Sequence, residues 1–129
     1  MAVSRECFLQ SAKEAMVTGT EIGYRNCVSR SYYSMYHAVL AILKNEVPFD
    51  NGGGVHFKLI KYLENAGKSE PHCAKKLKKL AYFLKISKDQ RCKADYEIDR
   101  NHIAKSSAED AISRASRVMA MCDELAAAA

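Results

Sequence analysis

The fold of this chain is decided by residues 21–46, which read EIGYRNCVSRSYYSMYHAVLAILKNE. This segment contains no proline, and an α-helix would turn it by about 100° per residue. On that projection one side is a continuous apolar stripe, wide enough to face a core. The stripe is made by Val28, Tyr32, Met35, Val39, Ile42 and Leu43. With Thr20 as N-cap candidate and Pro48 as stop signal, the sequence predicts a long second helix over about 21–46.

Shorter helical patterns lie on both sides of this segment. Ser4 can cap a first helix that runs to about Val17, and the turn Thr18-Gly-Thr makes that helix an antiparallel neighbour of the second. Later helices are predicted over about 55–65, 71–88 and 104–125, and the polar stretch 89–101 is left open between helix and loop. We therefore expect an all-α protein: an antiparallel up-and-down helical bundle of four to five helices with a long central second helix.

Length and composition fit one such domain, expected over residues 1–125 of the 129-residue chain. The alanine tail at 126–129 is either the end of the last helix or sequence added in cloning. The five cysteines have no Cys-x-x-Cys pair, which argues against a disulfide framework or a zinc site. We expect no metal and no cofactor.

The first residues predict a protein without a membrane segment. Arg5 and Glu6 stand where a signal peptide would be apolar. The longest uncharged run has 13 residues, whereas a membrane span needs about 20. We therefore expect a soluble, cytoplasmic protein.

Positive charge is concentrated in one part of the chain, although the net charge is only +5. Residues 58–93 hold 11 Lys or Arg and 3 acidic residues, a net charge of +8, and the rest of the chain is at −3. The densest run is Lys75, Lys76, Lys78 and Lys79. Such a region suits a polyanion, although lysines on a solvated helix give the same pattern.

The side of the second helix opposite the apolar stripe is polar and carries no acid. It holds Asn26, Arg30, Tyr33, Ser34, His37, Ala41 and Lys44. A polar stripe of this kind is ordinary for an amphipathic helix. However, an arginine with no acid on its own face, on the same side as an imidazole, is also an arrangement that attracts phosphate.

At these residues the chain resembles a known family. Residues 25–38, RNCVSRSYYSMYHA, are similar to the signature helix of HEPN domains. In that helix four to six residues stand between an arginine and a following histidine, and here six residues stand between Arg30 and His37. Residues 91–96 (RCKADY) and 111–115 (AISRA) resemble later features of a group of small single-domain HEPN proteins, in the same order. The resemblance covers nearly the whole chain and implies a helical bundle.

The resemblance also implies a function: a metal-independent endoribonuclease, a toxin or defence component, that cuts RNA at the interface of a homodimer. Arg30 and His37 would be the catalytic residues. Their Cα atoms would be about 10.5 Å apart on one helix, so two antiparallel copies across a two-fold axis suit a composite site better than one. The expected RNA contacts, of which Tyr96 rests on the resemblance alone, are Asn26, Tyr33, Ser34, Tyr96, Lys75, Lys76, Lys78 and Lys79.

Two other functions stay open at this point. HEPN proteins are often encoded beside a small nucleotidyltransferase with which they form toxin–antitoxin pairs, so the chain could be a non-catalytic nucleotide-binding or protein-interaction module. Alternatively, the polar stripe only forms a homodimer. His56 and His102 are isolated in sequence, and a structural or surface role is expected for each.

Overall fold

The computed structural model describes residues 3–48, 53–66, 69–100 and 102–129. In these ranges the chain forms five helices and no strand. The helices are α1 (Arg5–Val17), α2 (Glu21–Ile42), α3 (Val55–Asn65), α4 (Ala74–Tyr96) and α5 (Lys105–Ala128). The prediction of an all-α bundle is therefore confirmed.

The predicted first turn is confirmed in detail. Ser4 and Thr20 cap α1 and α2, with side-chain oxygens that accept hydrogen bonds from the backbone N–H groups of Cys7 and Gly23. Between the two helices Gly19 has a φ of +68°, a conformation that favours glycine. The chain thus reverses direction within a few residues, and α1 packs against α2.

The second helix is central, as predicted. It packs against α1, α4 and α5, and α3 packs on α4. The main core contains residues from α2 to α5, including Tyr32, Met35, Val39, Leu59, Leu63, Leu77, Leu80, Leu84, Val118 and Cys122. Because three helices cover α2, only a narrow strip of its surface is left for solvent.

The predicted end of α2 is wrong: the helix stops at Ile42 rather than near residue 46. The buried carboxylate of Glu70 accepts hydrogen bonds from the backbone N–H groups of Lys44, at 2.8 Å, and Asn45, at 3.1 Å. The buried ring of His72 donates from Nε2 to the carbonyl of Ile42 at 2.7 Å. These contacts satisfy the backbone groups that another helical turn would have used. The segment around Glu70 therefore ends the helix.

The fourth and fifth helices also differ from the prediction. The fourth helix begins at Ala74 rather than near residue 71 and continues to Tyr96, so most of the stretch 89–101 that was left open is helical. It continues because Arg91 and Ala94 are buried on its inner side. The guanidinium of Arg25 donates to the carbonyls of Lys93 and Ala94 near its end. The fifth helix runs on to Ala128 and includes residues 126–128 of the alanine tail.

None of the helices in the described ranges combines the length and apolar composition needed to cross a membrane.

Candidate functional site

The two candidate catalytic residues both lie on the solvent-exposed strip of α2. Arg30 and His37 are exposed. The guanidinium carbon of Arg30 is 5.6 Å from the centroid of the Tyr33 ring. The ring of His37 stacks on Phe8 of α1, with centroids 5.0 Å apart, and meets the edge of Tyr36 at 5.3 Å. Each candidate group is therefore held against an aromatic ring rather than extended freely into solvent.

Aromatic rings also fill the surface between the two groups. Phe8, on which His37 stacks, lies 6.1 Å centroid to centroid from Tyr33, the ring beside Arg30. An open cleft of about 520 Å³ borders His37 and Phe8 on the side of the first turn of α1. Asn26 is exposed one turn before Arg30. A ligand can therefore reach this strip from solvent.

No carboxylate among the described residues forms an ion pair with Arg30. An exposed guanidinium in this state keeps its hydrogen-bond donors for an external anion, and its planar shape suits a phosphate group.

The predicted exposure of Ser34 is wrong. Ser34 is fully buried, and its hydroxyl donates to the carbonyl of Ser31 at 2.7 Å. The reason is a second stripe on α2, made only of small residues, along which other helices approach: Cys27, Ser31, Ser34 and Ala38. For example, Cys27 is in one buried cluster with Ala12 of α1 and Ala108 of α5. Ser34 consequently cannot contact RNA on this surface.

Arg91, from α4, lies beneath the exposed strip. Arg91 is 8% exposed. Its guanidinium carbon is 5.3 Å from the ring centroid of Tyr32 and 5.5 Å from that of Tyr33. Its Nη1 donates to the Tyr33 hydroxyl at 3.3 Å and lies 3.5 Å from the Asp95 carboxylate. Asp95 also accepts a hydrogen bond from Ser29 at 3.2 Å. The segment 91–96 therefore supports the ring on which Arg30 rests.

The charge of Arg91 is well stabilised. Burial by itself would lower the pKa of this guanidinium, but Tyr33, Cys92 and Asp95 outweigh burial and raise the pKa above its ordinary value. The Nε atom of Arg91 is buried without a hydrogen-bond partner in the described part of the chain. Tyr96 is 72% exposed at the end of the same helix, and its hydroxyl also helps to raise the pKa of Arg91.

His56 of α3 joins the site, although sequence reasoning did not place it there. Its Nδ1 is 2.8 Å from the hydroxyl of Tyr32. Its ring centroid lies 4.5 Å from that of Tyr36 and 5.9 Å from that of Tyr33. Burial lowers the pKa of His56, and the charges of Arg91, Lys88 and His37 lower it further. No periodicity links residue 56 to α2, so only the folded chain reveals this neighbour.

The basic run does not meet the other candidate residues. Lys75, Lys76, Lys78 and Lys79 are exposed in the first turns of α4. They precede Arg91 by 12 to 16 residues along the helix, which corresponds to roughly 18–24 Å. A single nucleotide cannot contact both places, whereas a longer strand can.

Metal binding has no support in the described residues, where no three His, Cys, Asp or Glu side chains are grouped so that they could hold an ion.

A family model described as HEPN domain matches residues 6–125. No curated protein and no solved structure matches the chain.

Proposed function

The chain belongs to the HEPN family, and from this premise we propose that it is a metal-independent endoribonuclease whose site combines Arg30 and His37 from two copies of the chain. HEPN proteins include ribonucleases and nucleotide-binding members. The observation that carries the proposal is the pairing of two features on one exposed strip of α2: an arginine without an acidic partner in the described chain, and a solvent-accessible histidine beside an open cleft.

A second copy is part of the proposal because of distance. His37 lies seven positions after Arg30 on the helix, so their Cα atoms are about 10.5 Å apart along its axis. The rings of Phe8 and Tyr33 occupy the surface between them. Two antiparallel α2 helices related by a two-fold axis would bring Arg30 of one copy towards His37 of the other, so that the Arg30 and His37 side chains of both copies line one composite cleft.

The proposed chemistry is a transesterification within the RNA strand. One His37 takes the proton from a 2′-hydroxyl, and the 2′-oxygen bonds to the adjacent phosphorus. The bond from phosphorus to the 5′-oxygen breaks, and the second His37 supplies a proton to that oxygen. Arg30 stabilises the charge that develops on the phosphoryl oxygens. The products would be a 2′,3′-cyclic phosphate and a 5′-hydroxyl.

The test is cleavage of single-stranded RNA by purified protein with EDTA present. We expect the wild type to cut, and His37→Ala or Arg30→Ala to lose about 100-fold or more of the rate. Arg117→Ala is the matched control. Arg117 of α5 is also exposed, and its guanidinium also lies over an aromatic ring, that of Phe83. Equal rates for wild type and His37→Ala, or no cleavage by either, would contradict the proposal.

A cellular test addresses the proposed role as a toxin or defence component. Induced expression of the wild type should arrest growth, and Arg30→Ala should not. The alternative is a non-catalytic HEPN module that binds a nucleotide or a small nucleotidyltransferase, and the aromatic rings around Arg30 and His37 would suit base stacking in that case. Binding of RNA or nucleotide without cleavage and without growth arrest would favour this alternative.

A further inference from the structure

The buried hydroxyl of Tyr32 fixes the proton of His56. Tyr32 is 1% exposed, and His56 Nδ1 is its only hydrogen-bond partner in the described part of the chain. If Nδ1 carried a proton and donated it, the tyrosine hydrogen would be buried without an acceptor, which is costly. The tyrosine therefore donates and Nδ1 accepts. An imidazole that accepts at Nδ1 is neutral and carries its proton on Nε2.

The electrostatic surroundings favour the same state. Burial raises the pKa of Tyr32, so its hydroxyl keeps the proton that it donates. Burial and the positive charges of Arg91 and Lys88 keep the pKa of His56 below its usual 6.5. His56 thus offers one fixed N–H donor at neutral pH. Within the described ranges no residue forms a hydrogen bond with Nε2.

The surroundings also indicate which ligand would accept this hydrogen bond. Two permanent cations of α4, Arg91 and Lys88, act on the charge of His56. Asp95 offsets part of the charge of Arg91, from which it lies 3.5 Å away, and its carboxylate also accepts a hydrogen bond from Ser29. A half-buried, neutral N–H donor close to positive charges suits an anionic oxygen as its acceptor. The ring of Tyr33 contacts both His56 and the guanidinium of Arg30, so a ligand near one of them is also near the other. A phosphate oxygen has the required charge and acceptor geometry.

We propose that His56 is an additional binding residue of this site, whose Nε2–H donates a hydrogen bond to a phosphate oxygen of bound RNA. The inference rests on the proposed RNA-directed function, but it concerns binding rather than cleavage. His37 must gain and lose a proton during the proposed reaction, whereas His56 keeps the same proton throughout. The two histidines therefore have different roles on one surface.

The first measurement is the position of the proton. Nitrogen-15 NMR of the histidine rings should find the His56 proton on Nε2 in the wild type and a mixture of tautomers in Tyr32→Phe. A proton on Nδ1 in the wild type would contradict the proposal. This measurement needs no substrate, so it is independent of nuclease activity.

The second measurement is the affinity for an RNA that carries 2′-O-methyl groups throughout and cannot be cut. The variant is the double substitution Tyr32→Phe with His56→Phe, which removes both hydrogen-bonding partners and keeps two rings of similar shape, so the fold is expected to tolerate it. Kd should rise about tenfold or more. His56→Gln, whose amide can donate from nearly the same place, should recover part of the affinity.

The controls separate this proposal from the nuclease proposal. His102→Gln changes a histidine that is exposed and bonded to Glu21, so it should leave the affinity unchanged. AMP and inorganic phosphate serve as competing probes: a reduced affinity of the double variant for all three ligands assigns the contact to phosphate in general, and a reduced affinity for RNA alone assigns it to the strand. An unchanged Kd in the folded double variant, or no binding of any probe by the wild type, overturns the proposal. Binding that depends on His56 without cleavage would overturn only the nuclease.

Discussion

The guanidinium of Arg91 and the ring of Tyr33 are joined in two ways: Nη1 donates to the Tyr33 hydroxyl at 3.3 Å, and the guanidinium carbon lies 5.5 Å from the ring centroid. Arg30 lies 5.6 Å from the same centroid. One tyrosine therefore contacts a buried cation from α4 and an exposed cation from its own helix. The position of Arg30 depends on the packing of α4.

Arg91→Lys tests this dependence. Lysine keeps the positive charge but cannot reproduce the planar contact with two rings together with the hydrogen bond to Tyr33. We expect the free energy of unfolding to fall by about 1–2 kcal/mol, as measured by urea denaturation. We also expect RNA cleavage to fall under conditions where the variant is fully folded. Arg117→Lys, at an exposed site, should change stability by less than about 0.5 kcal/mol. If Arg91→Lys lowered the free energy of unfolding no more than Arg117→Lys does, the prediction would be contradicted.

Glu70→Gln tests the contacts that end α2. The carboxylate of Glu70 is 4% exposed and accepts hydrogen bonds from two backbone N–H groups, the Asn45 side chain and the Tyr62 hydroxyl. The amide of glutamine has only one oxygen, so some of these hydrogen-bond donors would face its NH₂ group and lose their acceptor. The free energy of unfolding should fall by about 2–3 kcal/mol. Glu64→Gln is the control: Glu64 is exposed on α3, so this substitution should hardly change the free energy of unfolding.

The same carboxylate predicts a dependence on pH. Burial alone would raise the pKa of Glu70, but the hydrogen bonds from Lys44, Tyr62 and Asn45 outweigh burial and lower the pKa below its ordinary 4.5. Since the folded state holds the charged form more strongly, this stabilisation is complete above about pH 4.5 and disappears as the pH falls through the folded pKa. The difference in stability between wild type and Glu70→Gln should therefore narrow on acidification to about pH 3. A constant difference would show that the charge of Glu70 is not its source.

Ser34→Leu tests the small-residue stripe of α2. A leucine at this fully buried position would have no space among the closely approaching helices, and we expect a loss of about 1–3 kcal/mol in the free energy of unfolding. Ala41→Leu adds the same volume on the exposed side of the helix and should have little effect. Thermal unfolding of the two variants provides the comparison. Similar melting temperatures would mean that Ser34 faces solvent after all.

The four lysines of the basic run give a prediction about RNA length. Because they lie roughly 18–24 Å from Arg91 along α4, a strand must be several nucleotides long to reach both places. Replacing Lys75, Lys76, Lys78 and Lys79 by Gln should weaken binding of a longer RNA and reduce the salt dependence of its Kd. Cleavage of a trinucleotide should be unchanged. An equal effect on both substrates would indicate that the lysines act on the fold or on the site itself.

The parts of the fold that depend on local sequence were predictable, and the parts that depend on distant contacts were not. The caps Ser4 and Thr20 and the exposed position of Arg30 follow from residues within a few positions of each other. The end of α2, in contrast, is determined by Glu70, which lies 25 residues after Asn45. No pattern in the sequence near residue 45 predicts a contact with a residue so far along the chain.

The candidate site divides in the same way. Helical periodicity placed Arg30, Tyr33 and His37 on one side of α2, and the structure agrees. It misplaced Ser34, because periodicity alone does not reveal how many helices cover α2. His56 and the contacts of Arg91 depend on where α3 and α4 pack, and a hydrogen bond between residues 32 and 56 has no signature in the sequence.

The contact between Tyr32 and His56 has a practical consequence. The chain has seven tyrosines and no tryptophan, so its near-ultraviolet circular dichroism comes mainly from tyrosine. Three of those seven phenol rings surround one imidazole. Arrival of a ligand at that imidazole would disturb their asymmetric environment. The protein therefore carries its own optical reporter, and titrations can be followed without attaching a dye.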